Sequence, residues 1–496
     1  MCRLFLCCCV CLIALASFLT SQAQAQTEAS LKVHPDQKLQ AFDGMGCGSI
    51  FYGGHITSFS KRNKNKLQQK FYDELFSDVR TNFLHVMIRP DFEAANDNDD
   101  PYLAEFADDA FKKNQDLLEV CRAAKKRRPD MKIYATLYTP PPWMKTNNAA
   151  TGAGKKKATL KDGLNLECAE YMWAYLKHMH DQGQPVDYLS ISNECDFTHT
   201  QPSYFLNANR HAKLFKVVVK YLDEMQSRFP DVPKPLLVAP NGISAINAAK
   251  RFLPALGTDG NAQVDVIGSH DYDRRPGRWE ALRKMAGDRP VWCTEWCWNG
   301  KDWSPGLIQS ANSSWSSMTD GFNAGLNVWM AYDWTYPPRP GGGEAMSLVE
   351  WGKSYEHTKM YYSFAQWCNA LEPGMHVVKS KMTAPEIPIV TAQRGVTKNR
   401  HAGVKACAFS GGPKNQLVIH VVNLQAEESE LTLQVTGAAH KNAVATVTKS
   451  SAKESNQAQP EIALKEGKLV DRLKPNEMAT YVFAGKEQSG ATTNRD

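Results

Sequence analysis

The sequence predicts an α/β protein: a (β/α)8 barrel of the TIM type with an attached all-β sandwich domain built mainly from the C-terminal segment. Three observations carry that prediction. Strand-like and helix-like segments alternate from about residue 41 to 370. Eight apolar β-type runs fall in that stretch, one per βα unit, as a closed eight-unit barrel requires. After Pro373 helical periodicity fades, and short alternating strands separated by turn residues take over. The 496-residue length admits two or three domains. A composition of 43% hydrophobic and 22% charged residues excludes a disordered or fibrous chain.

Residues 1–25 read as a secretory signal peptide. Arg3 supplies the positive start, Leu4 to Leu19 the apolar stretch, and Ala23-Gln24-Ala25 the small-residue cleavage site. No small residue precedes a cysteine at the end of the apolar run, so a lipoprotein anchor is disfavoured. Residues 26–40 read as an N-terminal strand segment of the sandwich, with Ser30–Leu39 as the strand. Residues 41–370 read as the barrel. Its strands are expected at Phe42–Gly46, Asn82–Ile88, Lys132–Leu137, Val186–Ile191, Leu236–Ala239, Val264–Gly268, Val291–Thr294 and Leu326–Met330. Amphipathic helices are expected at Asn114–Lys126, Leu166–Gln182 and Ala212–Arg228, where apolar residues recur at three- and four-residue steps. A doubly wound sheet is the rival arrangement, but Phe42-Asp43-Gly44-Met45-Gly46-Cys47-Gly48 does not follow the Gly-rich phosphate-turn pattern. Residues 371–486 read as the sandwich, with strands at Gly403–Phe409, Gln416–Asn423, Glu430–Val435, Ala443–Val447 and Met478–Phe483. Residues 487–496 read as a flexible polar tail.

Charge narrows the function classes. The net charge is +6, and loss of Arg3 with the signal leaves +5. The basic runs are short (Lys61-Arg62-Asn63-Lys64, Lys125-Lys126-Arg127-Arg128, Lys155-Lys156-Lys157) and read as solvated faces, so no nucleic-acid partner is expected. No segment after the signal reaches 18 uncharged apolar residues, so no membrane span is expected. The expected location is outside the cytoplasm, extracellular or periplasmic, and the expected state is a monomer. Eight cysteines remain after the signal: Cys47, Cys121, Cys168, Cys195, Cys293, Cys297, Cys368 and Cys407. Disulfides and buried thiols are equally open readings, and no pairing follows from spacing. No His/Cys cluster has zinc spacing, and Asp97-Asn98-Asp99-Asp100 lacks the spaced pattern of a calcium loop, so no metal or cofactor is expected.

Barrel active sites form at the C-terminal ends of the strands. Two carboxylates stand there. Glu194 ends Tyr188-Leu189-Ser190-Ile191-Ser192-Asn193-Glu194, after the fourth strand, and Glu295 ends Val291-Trp292-Cys293-Thr294-Glu295, after the seventh. A Glu closing an apolar strand is costly to bury unless it is paired or used. Two in one barrel mouth point to an acid and nucleophile pair for glycoside hydrolysis. Other strand ends carry groups suited to sugars. Trp143 follows the third strand in Pro140-Pro141-Pro142-Trp143-Met144-Lys145-Thr146-Asn147, His270 and Tyr272 follow the sixth, and Trp329, Asp333 and Trp334 follow the eighth. Indole faces suit the C–H faces of pyranose rings, while amides and carboxylates bind hydroxyls.

With these motifs the chain resembles glycoside hydrolase family 30, over nearly its whole length from about residue 37 to Phe483. The resemblance rests on Pro141-Pro142-Trp143-Met144-Lys145-Thr146-Asn147, Asn193-Glu194, Trp292-Cys293-Thr294-Glu295, His270-Asp271-Tyr272, Asp91-Phe92, and Asp333-Trp334 followed by Pro340-Gly341-Gly342, in the family's order. It implies that Glu194 is the general acid and then the base, that Glu295 is the nucleophile, and that configuration is retained. It further implies that Asn193 binds the sugar 2-hydroxyl and that Tyr272 orients Glu295. Trp143, Trp334 and Asp91 would then line the subsite, with His270 beside them. The acid's pKa is expected to be raised and the nucleophile to be ionised.

Three departures stand out. Cys195 replaces the family's usual proline after the acid. The second strand offers His85 or Arg89 in place of the family's arginine. Cys293 and Cys297 flank Glu295. Glucose, xylose, galactose and fucose substrates all stay open, and Arg339 alone is weak evidence for an acidic xylan. The rival readings are another two-Glu barrel glycosidase, a carbohydrate-binding protein on a lapsed barrel, and a wall-associated structural protein. Asn312-Ser313-Ser314 is a glycosylation sequon.

Overall fold

The computed structural model describes residues 26–96, 98–102, 110–152, 157–298, 304–338, 345–391 and 395–485. The expected signal, the Pro340-Gly341-Gly342 run, Arg339 and the expected tail from 487 lie outside them.

Eight parallel strands close into a barrel: Gly44–Ser49, Phe83–Ile88, Lys132–Leu137, Tyr188–Ser190, Leu236–Gly242, Val266–His270, Val291–Glu295 and Val328–Ala331. Closure comes from the first strand pairing in parallel with the eighth, Gly44 opposite Val328 and Met45 opposite Trp329. The first strand lies two to three residues beyond the stretch expected from sequence. Its glycines explain why. A Cβ at Gly46 would lie 2.8 Å from the Phe83 Cβ, and one at Gly48 only 1.8 Å from the Tyr332 carbonyl oxygen. The Gly-rich run therefore continues as strand, because only glycine lets its neighbours approach so closely. The lower barrel is filled by Phe83, Tyr134, Val238, Val266, Trp292, Val328 and Met330. Trp292 meets Phe83 and Tyr188 at centroid distances of 4.9 and 4.6 Å. It is a packed core, so chemistry is confined to the upper rim.

The three expected helices are present as Gln115–Arg127, Asn165–Asp181 and Ala208–Arg228. The last starts four residues earlier than expected, because the side chain of Asn207 accepts from the Arg210 N–H and caps the helix there.

The second body is a nine-stranded sheet. Its strand order is Gln457–Ala463, Val444–Ser450, Met478–Phe483, Gln416–Asn423, Val404–Gly411, Met375–Thr383, Gln26–Ala41, Glu428–Val435, Lys468–Leu473. The N-terminal strand runs antiparallel to Met375–Thr383 and parallel to Glu428–Val435. The sheet doubles over on itself. Lys449, on the second strand of that order, lies 2.8 Å from Asp471 on the ninth, and Tyr481 donates to the same carboxylate at 2.6 Å. The two leaves share one apolar core that includes Leu31, Ile419, Leu433 and Phe483.

Four pieces of β-structure lack the apolar alternation that sequence reading depends on. These are Met375–Thr383, the hairpin Glu386–Thr391 with Gly395–Ala402, Gln457–Ala463, and Lys468–Leu473. Gln457–Ala463 closes one edge of the sheet, and none of its residues is buried. Polar edge strands avoid edge-to-edge association. Cys47, Cys121, Cys168, Cys195, Cys293, Cys368 and Cys407 are buried thiols outside any disulfide. Asn312 of the sequon is 3% exposed and donates from Nδ2 to Asn476 at 2.9 Å, so its amide is buried and engaged once the chain is folded. Among the described residues no helix is long and apolar enough to cross a membrane.

Candidate active site

Glu194 and Glu295 face each other over a cavity of about 500 Å³ at the upper rim. One carboxylate oxygen of each, together with Nδ1 of His270, all lie within 4.8 Å of one another. Strand geometry produces this meeting. Glu295 is the last residue of the seventh strand, and Glu194 sits four residues beyond the end of the fourth. Glu194 has φ = 45°, a left-handed conformation that costs a side-chain-bearing residue free energy. Its N–H donates to the Asn241 carbonyl at 3.0 Å, which holds that conformation.

Asn241 joins the two carboxylate-bearing segments. Its Nδ2 donates to the Ser192 carbonyl at 2.9 Å, and its Oδ1 accepts from the Thr294 hydroxyl at 2.5 Å. The chain is thus pinned two residues before Glu194 and one residue before Glu295. Asn241 is silent in the sequence, because an amide inside an apolar run gives no charge signal.

Each carboxylate has its own partners. Tyr138 donates to Glu295 Oε2 at 2.8 Å, and Tyr272 donates to Oε1 at 2.9 Å. His270 Nδ1 lies 2.9 Å from Glu194 Oε1 and 3.5 Å from Glu295 Oε1. His199 Nε2 contacts Glu194 Oε2 directly. Burial alone would raise the Glu194 carboxyl, but hydrogen bonds from His199 and His270 override it and hold it down to about 2. Burial raises Glu295, with the Glu194 charge adding to that effect and His270 opposing it. The expected pKa split is therefore present with the opposite sense. Its cause is the pair of imidazoles on Glu194, of which His199 was not singled out from sequence. Both imidazoles are in turn held above the ordinary histidine value: burial works against the charge, and the carboxylates outweigh it.

The other expected site residues divide. Asn193 lines the cavity, and its buried Oδ1 has no protein partner. Tyr272 lines it as well, and its hydroxyl lies 3.4 Å from Cys297 Sγ. His270 is fully buried behind the two carboxylates. Trp143, Trp334 and Asp91 do not line the cavity. Trp334 packs among Phe76 and Phe364 at 1% exposure, a core residue. Asp91 is held by both forks of Arg89 at 3.0 Å and by Lys113 at 3.1 Å. Trp143 is half-buried against the barrel core, and its carbonyl accepts from Lys161.

The distinctive third-strand turn works instead through Lys145. This fully buried ammonium donates to the carbonyls of Ala150, Thr151 and Ser203 at 2.8, 3.1 and 2.7 Å. It ties the loop after the third strand to the loop after the fourth. Arg89 is spent on Asp91, and His85 bonds Thr136 Oγ1 at 2.8 Å and stacks on Tyr134. Neither is a hydrogen-bond partner of Glu295. Besides Tyr272 and His199, the rings that line the cavity are Phe51, Tyr138, Phe197, Tyr332 and Tyr336. Most directly follow a barrel strand, but phenol and phenyl groups carry no burial cost that marks them in sequence.

Glu194, His270 and Glu295 are the one metal-competent trio among the described residues. Their donor atoms are already engaged with one another and with Tyr138, Tyr272 and His199, and the arrangement suits proton transfer and nucleophilic attack.

Residues 46–210 match the model of the glycosyl hydrolase family 30 TIM-barrel domain. Over that third of the chain the barrel is similar to the family, and the match supports O-glycosyl hydrolase activity. The matched segment contains Asn193 and Glu194, and Glu295 lies beyond it. No curated protein matches the chain. Among solved structures, a family 30 subfamily 8 xylanase from Clostridium acetobutylicum is 19% identical, covers 92% of this chain and 100% of its own, and superposes with a TM-score of 0.67. A conserved exported protein from Bacteroides fragilis is 14% identical, with 91% and 100% coverage and a TM-score of 0.69. An endo-β-1,6-glucanase is 15% identical, with 92% and 94% coverage and a TM-score of 0.64. At these identities the likeness is one of fold: barrel and sheet body together.

Proposed function

We propose that this chain is a member of glycosyl hydrolase family 30, an exported, retaining β-glycosidase that cleaves a β-linked polysaccharide or glycoconjugate by double displacement. The observation that carries the reading is the meeting of Glu194 and Glu295 across the cavity, with facing atoms within 4.8 Å. Retaining enzymes hold their carboxyls about 5–5.5 Å apart, whereas inverting enzymes need about 6.5–9.5 Å to admit a water. Glu295, aligned by Tyr138 and Tyr272, attacks the anomeric carbon. Glu194 protonates the departing oxygen and then deprotonates the water that releases the sugar. Asn193, which lines the cavity beside Glu194, takes the 2-hydroxyl. The Phe51, Tyr332 and Tyr336 rings offer faces for the C–H side of a pyranose.

Export is supported by the residues 1–25 pattern and by the exported protein among the structural relatives. Xylan and β-1,6-glucan enter as candidate substrates because two structural relatives are a xylanase and an endo-β-1,6-glucanase. The test is a product screen of the chain from Gln26 onward. Substrates are xylan, glucuronoxylan, β-1,6-glucan, β-1,6-galactan and aryl β-glycosides of glucose, xylose, galactose and fucose, with Glu295→Gln alongside. Turnover lost in that variant, with the first-formed product of retained configuration by NMR, is the expected result. An inverted first product, or full turnover by Glu295→Gln, overturns the reading.

A further inference from the structure

We propose that His199 is the proton inlet of this site, a positioning and relay residue that loads Glu194 from solvent and unloads it again. The inference rests on the double-displacement reading above and concerns a residue outside the carboxylate pair.

Glu194 has two imidazole partners with different surroundings. His270 is fully buried behind both carboxylates, and its Nε2 has no protein partner. A proton on His270 has no route to water. The His199 side chain is 28% exposed and lines the cavity, while its Nε2 is buried and touches Glu194 Oε2. It is the one titratable group that both contacts the acid and reaches solvent among the described residues.

Its placement is built from below. The His199 N–H donates to Ser203 Oγ at 3.1 Å, and the Ser203 carbonyl is held by the buried Lys145 ammonium at 2.7 Å. Phe197 packs edge-on against the ring at 4.7 Å. Other charged or titratable groups around the pair are accounted for. Glu295 is bound by Tyr138 and Tyr272, and Asp196 is occupied by the Ile243 N–H and the Asn247 amide. The Cys195 thiol is raised by burial and stays neutral.

The chemistry balances. A carboxylate beside an imidazolium and a carboxylic acid beside a neutral imidazole hold the same proton, so the pair titrates as one unit. In the first displacement the N–H bond at Nε2 breaks and a proton forms an O–H bond on Glu194. That proton passes to the leaving oxygen as the glycosidic C–O bond breaks. In the second displacement Glu194 takes a proton from the attacking water and returns it to Nε2. A site whose acid is an ionised carboxylate at rest therefore still has its proton, stored one contact away. The alkaline limb of activity belongs to the Glu194–His199 pair and lies above the ordinary histidine range.

The experiment compares the full mature chain with His199→Gln and His199→Ala on two substrates, over a pH series. One substrate is an oligosaccharide, whose alkoxide leaving group needs protonation. The other is a nitrophenyl glycoside, whose leaving group does not. The relay predicts that the alkaline limb of kcat/KM moves down by about one unit or more. It also predicts that oligosaccharide turnover falls about 10–100-fold, within the range of general acid catalysis, while nitrophenyl glycoside cleavage changes by less than about threefold. An unmoved alkaline limb, or equal losses on both substrates, overturns it. A second measurement needs no turnover and so separates this inference from the hydrolase reading. In histidine-labelled protein the NMR signal absent from His199→Gln should titrate above 6.5, and it should drop in Glu194→Gln. Titration at or below 6.5, insensitive to that substitution, refutes the relay whatever the substrate proves to be.

Discussion

Asn241 offers the sharpest test of how the barrel holds two carboxylates in register. Its side chain is fully buried and makes two hydrogen bonds, one to the Ser192 carbonyl and one from the Thr294 hydroxyl. Its own φ is 56°, a left-handed value that asparagine and glycine tolerate better than other residues. Asn241→Gly keeps that backbone accessible and removes only the side-chain bonds. The buried Thr294 hydroxyl then loses its acceptor, while the Ser192 carbonyl keeps the Ser190 hydroxyl at 3.0 Å, for a total of about 1–3 kcal/mol. The functional loss comes from geometry. The Glu194 segment is freed at Ser192 and the Glu295 segment at Thr294, and a shift of about 1 Å between reacting groups costs on the order of 10²-fold in rate. The assay is kcat and KM on a nitrophenyl glycoside, with a thermal melt in parallel. The expected result is a kcat fall of about 10²-fold with KM within about threefold, because the reacting geometry changes and the cavity wall does not. Asn241→Asp, which keeps the acceptor and loses the donor, should fall between. A folded Asn241→Gly protein with parental kcat would falsify the claim that this residue sets the distance.

Three further outcomes follow from the same contacts. Glu295 must be ionised to attack, and burial holds its pKa above the ordinary 4.5, so the acidic limb of kcat/KM should lie above that value; a limb at or below it in a pH-rate series would contradict the assignment. Lys145→Met takes the donor from the buried Ser203 carbonyl, while the Ala150 and Thr151 carbonyls keep the Ser203 N–H and the Asn147 amide. It should cost about 1–3 kcal/mol, seen as a lower urea midpoint, with early proteolysis in the loops around Thr151 and Ser203. Lys405, on the sheet body, meets Asp320 of the barrel, which also lies 3.6 Å from Arg278. Lys405→Met should cost roughly 2–3 kcal/mol, less than a fully buried pair because Asp320 is 30% exposed. Burial would raise Asp320, but Lys405 and Arg278 hold it down to about 2. The stability it contributes is present above its unfolded value of about 4 and is lost as pH falls from there toward 2. The substitution should therefore flatten acid unfolding in that window, and unchanged acid unfolding would count against the pair.

What the sequence reveals and what it hides follow one physical rule. A feature is legible when its burial carries a cost that chance composition would avoid. Apolar runs closing on Glu194 and Glu295 are of that kind, so both carboxylates and all eight barrel strands can be placed before any coordinates. Features without such a cost are silent. Tyr138 and Tyr332 look like ordinary core phenols, yet one binds Glu295 and both line the cavity. Trp143 and Trp334 look like sugar platforms, yet one leans on the core and the other is buried within it. The tryptophans reverse because indole is equally suited to packing and to stacking, and packing decides when a neighbour such as Phe76 is within reach.

The same rule accounts for the inverted pKa split. A lone Glu in an apolar strand end is expected to be raised, and Glu295 is. Glu194 differs because His199 arrives from a loop whose position depends on Lys145, fifty-four residues earlier. A buried lysine gripping three carbonyls is therefore not remote from the chemistry. It fixes the imidazole that decides whether the acid carries its own proton or borrows one.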